Sequence, residues 1–313
     1  MITIQISKQT KKEEIPPCIA TVGFFDGVHI GHRFLLNELK TLAKSQNLPA
    51  AVITFKHHPR QVLQKEYQPK LLNSLEERLE QLQTTGVDYC LLLDFTIELA
   101  ALSARTFIVN ILSNLLHVRT LLIGYDHRFG HDRTDGFEQY TAYGKEANLQ
   151  VVKVRPFVQG ELKASSSAIR LFIEKGEMEQ ANALLSYPYK LSGTVVKGHQ
   201  IGRTLGFPTA NIALQNPNKL CPCKGVYLVR VSIENQSYKG MLYIGNRPTL
   251  GNGDNSIEVH ILNFNEDIYG KSIDIHFHVF IRSSIKFESL ELLHLQLEKD
   301  KTRVIQSPIT IYP

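Results

Sequence analysis

The sequence lacks tryptophan, holds only four cysteines and contains no hydrophobic run near the roughly 20 residues that a membrane-spanning helix needs. Cys221 and Cys223 are close in sequence, but no second pair and no nearby histidine completes a zinc site. The N-terminus soon becomes charged, through Lys11, Lys12, Glu13 and Glu14, and has no apolar signal-peptide core. These absences predict a cytoplasmic protein with reduced thiols.

The basic excess is mild, with a net charge of +5 that is spread along the chain. Such a charge suits a protein that holds anionic small molecules, whereas nucleic-acid binding favours clustered Lys and Arg with interleaved aromatic residues. A chain of 313 residues is too long for one ordinary core, so we predict two domains, residues 1–185 and 186–313.

The first half alternates short apolar runs with helical patterns. The predicted strands are 19–23, 51–55, 89–94 and 120–124, and the predicted helices are 35–42, 76–83, 103–116 and 168–185. Asn73 or Ser74 is the expected N-cap of the helix over 76–83. This alternation predicts a doubly wound parallel sheet of the Rossmann-like α/β class, with ligands beyond the carboxyl ends of its strands.

The second half reads as an antiparallel β-barrel domain. After a predicted linker at 186–189, strands are expected at 191–196, 226–233, 239–244, 257–264 and 273–281, separated by Gly, Pro and Asn turns. A C-terminal helix over 288–304 is predicted to bury a face with Leu290, Leu293 and Leu297.

The most informative motif, Gly-Phe-Phe-Asp-Gly-Val-His-Ile-Gly-His at 23–32, follows a predicted strand. His29 and His32 fall on one face of a first helical turn, where free N–H groups and the helix dipole attract phosphate. Gly27 and Gly31 leave room for a nucleotide near the backbone. This pattern suits attack at the α-phosphorus of ATP, where positioning and charge stabilisation dominate.

Two other interpretations of this motif stay open from the residues alone. His29 and His32 are also compatible with ordinary surface or core histidines. The same His-x-Gly-His pattern marks class I aminoacyl-tRNA synthetases, but the Lys-rich catalytic loop and tRNA-binding region of those enzymes are not visible here.

Further phosphate and substrate contacts are expected downstream. Ser165, Ser166 and Ser167 with Arg170 open a helix and predict a second phosphate clamp, although the serines alone also make a good N-cap. The loops at 54–60 and 124–130 follow strands and are candidates for substrate contacts. Ordinary turn chemistry explains either loop equally well.

The segment 193–211 is glycine-rich but is not a P-loop, because Gly198 and Gly202 are too close and Arg203 stands where Lys is required. Its backbone N–H groups can still cradle phosphates. Thr209 and Asn211 alternate on an extended segment and offer two neutral oxygens to Mg²⁺. A Pro-Thr turn with an Asn cap is the other interpretation.

Glu258 is an acid that alternates with apolar residues on a predicted strand. A carboxylate there can accept the proton of a hydroxyl that attacks the γ-phosphorus of ATP. A solvent-facing strand position explains the same spacing.

Segments in both halves resemble a known family, the bacterial bifunctional riboflavin kinases/FMN adenylyltransferases (FAD synthetases). The segments 23–32, 54–59, 124–130 and 165–170 resemble its adenylyltransferase module, and 198–211, 243–251, 257–264, 267–270 and 282–287 resemble its kinase module. The resemblance implies that the chain phosphorylates riboflavin to FMN with ATP and Mg²⁺, then adenylylates FMN to FAD with release of pyrophosphate. It implies neither nucleic acid nor a membrane as a partner.

The resemblance also assigns roles to individual residues. Catalytic residues would be His29, His32 and Glu258. ATP in the adenylyltransferase would contact Gly23, Phe25, Asp26, Gly27, His29, Gly31, His32, Ser165, Ser166, Ser167 and Arg170. The flavin and adenine pockets there would be bordered by His58, Pro59, Gly124, Asp126, Arg128 and Phe129. ATP in the kinase would contact Gly198, Gly202, Arg203, Gly206, Pro208, Thr209 and Asn211. Thr209 and Asn211 would hold Mg²⁺, and Arg282 and Phe287 would contact the flavin. The chain departs from the common family pattern at His57, Asp126 and Ser284.

Two functional alternatives remain. The first is an adenylyltransferase whose barrel only binds flavin as a regulator, and intact Thr209, Asn211 and Glu258 argue against it. The second is a non-catalytic, flavin-responsive protein that touches RNA, and the lack of a clustered basic and aromatic surface argues against it.

Overall fold

The structure is a computed structural model that describes residues 1–7, 9–64, 66–125, 128–131, 134–157, 164–198, 202, 205–246, 255–310 and 312. The chain forms two compact units, Met1–Ala164 and Ser165–Pro313. No helix among these residues has the length and apolar character needed to cross a membrane.

The first unit is built on a six-stranded parallel sheet. Its strands are β1 (Ile2–Ile6), β2 (Cys18–Val22), β3 (Ala50–Phe55), β4 (Tyr89–Leu93), β5 (Val118–Ile123) and β6 (Gln150–Lys153), in the order β1-β4-β3-β2-β5-β6. Every adjacent pair is parallel. Buried neighbours such as Val52 and Ile53 enter two different core clusters, so both faces of the sheet are covered. The predicted doubly wound sheet is confirmed.

Helices connect these strands. They are α1 (Ile30–Ser45), α2 (Pro59–Leu63), α3 (Leu75–Gln83), α4 (Ile97–Ala100), α5 (Ala104–Thr106) and α6 (Phe137–Glu146), with a 3₁₀ turn at Lys12–Glu14 and a π-helical segment at Phe107–Leu115. Ser74, one of the two predicted caps, closes a capping box with Glu77 at the start of α3. The edge strands β1 and β6 were not predicted.

The strand order reverses beside β2, because β3 lies on one side of it and β5 on the other. Ligands of open α/β sheets bind at such a switch point, beyond the carboxyl ends of the strands. The loops after β2 and β5, which begin at Gly23 and Gly124, therefore lie where a ligand is expected.

The second unit begins with two helices, α7 (Ser166–Lys175) and α8 (Met178–Leu185). The single helix predicted over 168–185 is wrong, because the chain leaves α7 at Gly176 with a left-handed φ of 79° that stops a helix. Tyr189, in the segment predicted as a linker, is fully buried, and its N–H donates to Asn182 Oδ1 at 2.8 Å.

A closed six-stranded barrel follows. Its strands are β7 (Lys190–Val196), β8 (Ala210–Leu214), β9 (Gly225–Ile233), β10 (Gln236–Asn246), β11 (Asn255–Ile261) and β12 (Ser272–Ser283), in the closed order β10-β11-β8-β7-β12-β9. All pairs are antiparallel, as predicted. The predictions did not include β8.

The C-terminal helix α9 (Leu290–Gln306) covers one side of the barrel. Leu297 and Val304 pack on a cluster that contains Val226 and Met241. Leu290, the first residue of the helix, was predicted on the buried face but is 63% exposed.

Two candidate active sites

The loop that joins β2 to α1 has an unusual backbone. Phe25, Gly27 and Val28 all have positive φ, at 56°, 83° and 36°. Positive φ is easy for glycine but costly for a β-branched residue such as Val28. Such strain persists only where the surroundings fix it, and it concentrates at functional sites. The observation favours a functional loop at the predicted motif.

The two histidines of the motif lie together at the start of α1. His29 is the N-cap, and its Nδ1 accepts a long hydrogen bond of 3.4 Å from the His32 N–H. The two rings are stacked with centroids 3.7 Å apart, and the Phe25 ring meets His32 edge-on at 5.1 Å. His29 is buried and His32 half-buried. The predicted pairing of these side chains at a helix start is therefore present.

Other residues of this motif support the loop. A Cβ at Gly31 would fall 3.2 Å from the His29 ring, so glycine lets that ring lie against the helix start. Asp26 is buried, and its carboxylate accepts the N–H groups of Leu72 and Asn73 at 3.0 and 3.2 Å. The Gly23 N–H donates to the Ile53 carbonyl at 3.0 Å. Asp26 thus anchors the loop to the segment before α3, a structural task in addition to the predicted shaping of the pocket.

The loop after β3 contacts the first loop through aromatic rings. The rings of His58 and Phe24 meet edge-on at 4.7 Å, and His58 caps α2, whose first residue is Pro59. The β3 and β2 loops are thereby brought side by side.

The loop after β5 is partly described. Phe129 stacks on Tyr140 at 4.3 Å and packs on the sheet core, while Gly124 is half-buried and Arg128 exposed. Asp126 lies outside the described residues. Roles for these residues in a flavin or adenine pocket stay predictions.

The predicted serine clamp opens the second unit. Ser165 is the N-cap of α7, and its Oγ accepts the Ala168 N–H at 3.2 Å. Ser166, Ser167 and Arg170 follow in the first turns of the same helix. The capping interpretation therefore holds for Ser165, and phosphate binding by the segment stays a prediction.

The second candidate site lies across neighbouring strands of the barrel. Glu258 on β11 is directly opposite Asn211 on β8 and Tyr243 on β10, so the three side chains share one face. Thr209 Oγ1 donates to Glu258 Oε2 at 3.4 Å. The fold thus brings the Glu258 carboxylate next to the neutral side-chain oxygens of Thr209 and Asn211, which are distant from it in sequence.

Gly198, in the glycine-rich segment 193–211, lies close to Asn211 of this site. A Cβ at Gly198 would fall 2.0 Å from Asn211 Nδ2, so only glycine allows this contact. The Gly202 carbonyl accepts the Phe207 N–H at 2.8 Å, in the turn that also contains Gly206. Arg203 lies outside the described residues.

Sequence reasoning missed His260, which lies two residues after Glu258. Its Nδ1 is 2.8 Å from the Pro208 carbonyl, so it fixes the residue immediately before Thr209. Burial lowers the pKa of His260, and the carbonyl only partly offsets this, so the ring donates as a neutral imidazole. The sequence signal for His260 was its position two residues after Glu258 on the same strand, which places both side chains on one face.

The predicted flavin contact Arg282 lies near this site, because it is paired with Val226 of β9, which is paired in turn with Tyr243 of β10. Its guanidinium makes a bidentate ion pair with the buried Asp300 of α9, with the shortest N–O distance at 2.7 Å, and lies 5.8 Å from the centre of the Phe287 ring. Tyr243 Oη is 2.9 Å from Ser284 Oγ. Asp300 was not predicted, because in the sequence it is one of several charged residues of the C-terminal helix and nothing there indicates its burial.

The donor set of the barrel fits a hard cation. Thr209 and Asn211 supply oxygen atoms, which Mg²⁺ prefers, and few protein ligands are needed when phosphates and water complete the shell. Within the described ranges, no three His, Cys, Asp or Glu side chains form a metal-binding group.

Comparison with known proteins identifies both halves. The family model of FAD synthetase matches residues 11–168, and that of riboflavin kinase matches residues 185–307. The bifunctional riboflavin kinase/FMN adenylyltransferase of Escherichia coli K12 is 37% identical, covering 91% of this chain and 90% of its own. The bifunctional riboflavin kinase/FMN adenylyltransferase of Bacillus subtilis is 34% identical, and the match covers 94% of each chain.

A solved structure shares the fold. A crystal structure described as a macrolide-efflux protein from Streptococcus pneumoniae is 33% identical with a TM-score of 0.87, covering 98% of this chain and 100% of that one. Together with the two family models in the same order, these likenesses show that the chain belongs to the family of bifunctional riboflavin kinase/FMN adenylyltransferases.

Proposed function

We propose that the N-terminus of α1 holds the triphosphate of ATP while the phosphate of FMN attacks its α-phosphorus. The stacked pair of His29 and His32 carries this proposal, because it lies at a helix start beside the switch point of the sheet. In the reaction, a new bond joins the FMN phosphate to the α-phosphorus, the bond to the β-phosphate breaks, and pyrophosphate leaves. The helix N–H groups and imidazoles stabilise the negative charge on the phosphates.

The barrel phosphorylates the 5′-hydroxyl of riboflavin, with Glu258 as the general base. This carboxylate receives the hydroxyl proton as the oxygen attacks the γ-phosphorus of ATP, and ADP leaves. The hydrogen bond from Thr209 orients the Glu258 carboxylate on the face of the barrel that it shares with Asn211. Arg282, held by Asp300, contacts the flavin.

Mg²⁺ would be held by Thr209 and Asn211 and would neutralise the phosphate charge in the kinase site. We further propose a cytoplasmic location, in keeping with the cysteine content, and small-molecule partners only: riboflavin, FMN, FAD, ATP and pyrophosphate.

The decisive experiment incubates the purified chain with riboflavin, ATP and MgCl₂ and separates the flavins by chromatography. FMN and FAD must both form, and pyrophosphate must appear in step with FAD. Replacing MgCl₂ by EDTA must stop FMN formation. Riboflavin that stays unchanged would contradict the proposal, and FMN without FAD would contradict its first half.

A further inference from the structure

The side chain of Arg78 is the most completely buried cation of the first unit among the described residues, with 2% exposure. A charged group at such a depth costs free energy unless it is paired or hydrogen-bonded. Burial lowers the pKa of Arg78 to about 10, and the nearby Asp26 carboxylate acts in the opposite direction. The guanidinium is therefore still charged at neutral pH, although no role for it follows from the sequence.

The guanidinium bridges the motif loop after β2 and the carboxyl end of β3. Nη1 donates to the Phe24 carbonyl at 3.1 Å, and Nη2 donates to the Phe55 carbonyl. Phe24 belongs to the motif loop after β2, and Phe55 is the last residue of β3. Thr54 Oγ1 also donates to the Phe24 carbonyl, at 3.2 Å. The guanidinium and Thr54 thus tie the carboxyl ends of two neighbouring strands to each other.

The contact continues through aromatic rings. The Arg78 guanidinium carbon lies 4.0 Å from the centre of the Phe24 ring, and that ring touches His58 at the start of α2. Asp26 ties the same motif loop to Leu72 and Asn73, immediately before α3. The motif loop is therefore held at two points, at Phe24 by Arg78 on α3 and at Asp26 by the segment immediately before α3.

We propose that Arg78 is a positioning residue of the adenylyltransferase: it fixes the loop that presents His29 and His32 relative to the loop that presents His58. This inference rests on the proposed function of the first unit. A misplacement of about 1 Å is enough to lower a rate about 100-fold, so loss of the bridge is expected to act on kcat. Lysine is a poor replacement, because its compact ammonium lacks the planar fork that reaches both carbonyls while lying over the Phe24 ring.

The test compares Arg78→Lys and Arg78→Met with Lys40→Met. Lys40 also donates to a backbone carbonyl near the end of α3, that of Thr85 at 2.6 Å, but touches neither loop in that contact. Both Arg78 variants should lower kcat for FAD formation by about 100-fold while the KM for ATP changes less than about threefold. Lys40→Met should stay within about twofold of the wild type. FMN formation in the same samples is the internal reference for a folded barrel.

The measurements are made well below the melting midpoint of each variant, where a merely stabilising residue leaves kcat unchanged. If Arg78→Met does not fold, Arg78→Lys decides alone, because it keeps the charge. A folded Arg78→Lys enzyme with the kcat of Lys40→Met would overturn the inference. Wild-type protein that forms no FAD would instead refute the proposed function of the first unit.

Discussion

The barrel should lose stability as the pH falls from 7 to 5, because His276 and His278 on β12 both have lowered pKa values, and the effect is tested at His278. Its side chain is 2% exposed, and neither ring nitrogen makes a hydrogen bond in the described part of the chain. Burial lowers the pKa of His278 from 6.5 to about 4, and the cations Arg230 and Lys239 add to the effect. His276, on the same strand, is shifted in the same direction by burial and by Arg230.

The sign follows from the neutral ring of the folded state. The unfolded chain binds a proton below pH 6.5 while folded His278 does not until about pH 4, so acid favours unfolding across this interval. At 1.36 kcal/mol per pKa unit, the full effect is about 3 kcal/mol, of which about 2 kcal/mol falls between pH 7 and pH 5. The loss is complete once the pH is below about 4.

The assay is urea unfolding at pH 7 and pH 5, read by pulsed hydrogen exchange of peptides that cover β12. His278→Phe should lose about 2 kcal/mol less than the wild type between these pH values. Ile281→Val, a buried but non-titrating change on the same strand, should cost about 1 kcal/mol at both. Identical pH dependence in the wild type and His278→Phe would refute the reasoning.

Three further predictions concern the two sites. Glu258→Gln should lower FMN formation by about 10²–10⁴-fold, because a general base is lost, while supplied FMN is still converted to FAD in the chromatographic assay. His29→Ala should do the reverse, abolishing FAD formation with FMN formation intact; loss of both activities in a folded protein would contradict separate sites. Asp300→Asn should destabilise the barrel by about 3 kcal/mol in urea and raise the KM for riboflavin, because Arg282 loses the partner of a buried ion pair. A riboflavin KM equal to that of the wild type would contradict a role of Asp300 in flavin binding.

Local sequence signals predicted the elements and the motif well. Alternating apolar runs gave β2 to β5 and five of the six barrel strands, because burial imposes a period on the residues themselves. Ser74 was one of two expected caps, since a capping box is written in four consecutive residues. The helix break at Gly176 was signalled by the glycine but not used, and the short edge strands β1 and β6 offered weaker patterns.

Only the tertiary structure decided which distant residues meet. Thr209 and Glu258 are brought together by the register of β8 and β11, and Arg282 finds Asp300 through the docking of α9. Arg78 looked like any charged helical residue, because burial depends on what packs on a helix and not on its own sequence. The sequence by itself therefore determined the family, the elements and the chemistry available to each site. The pairing of strands and the packing of helices, which depend on contacts distant in the chain, decided how that chemistry is held in place.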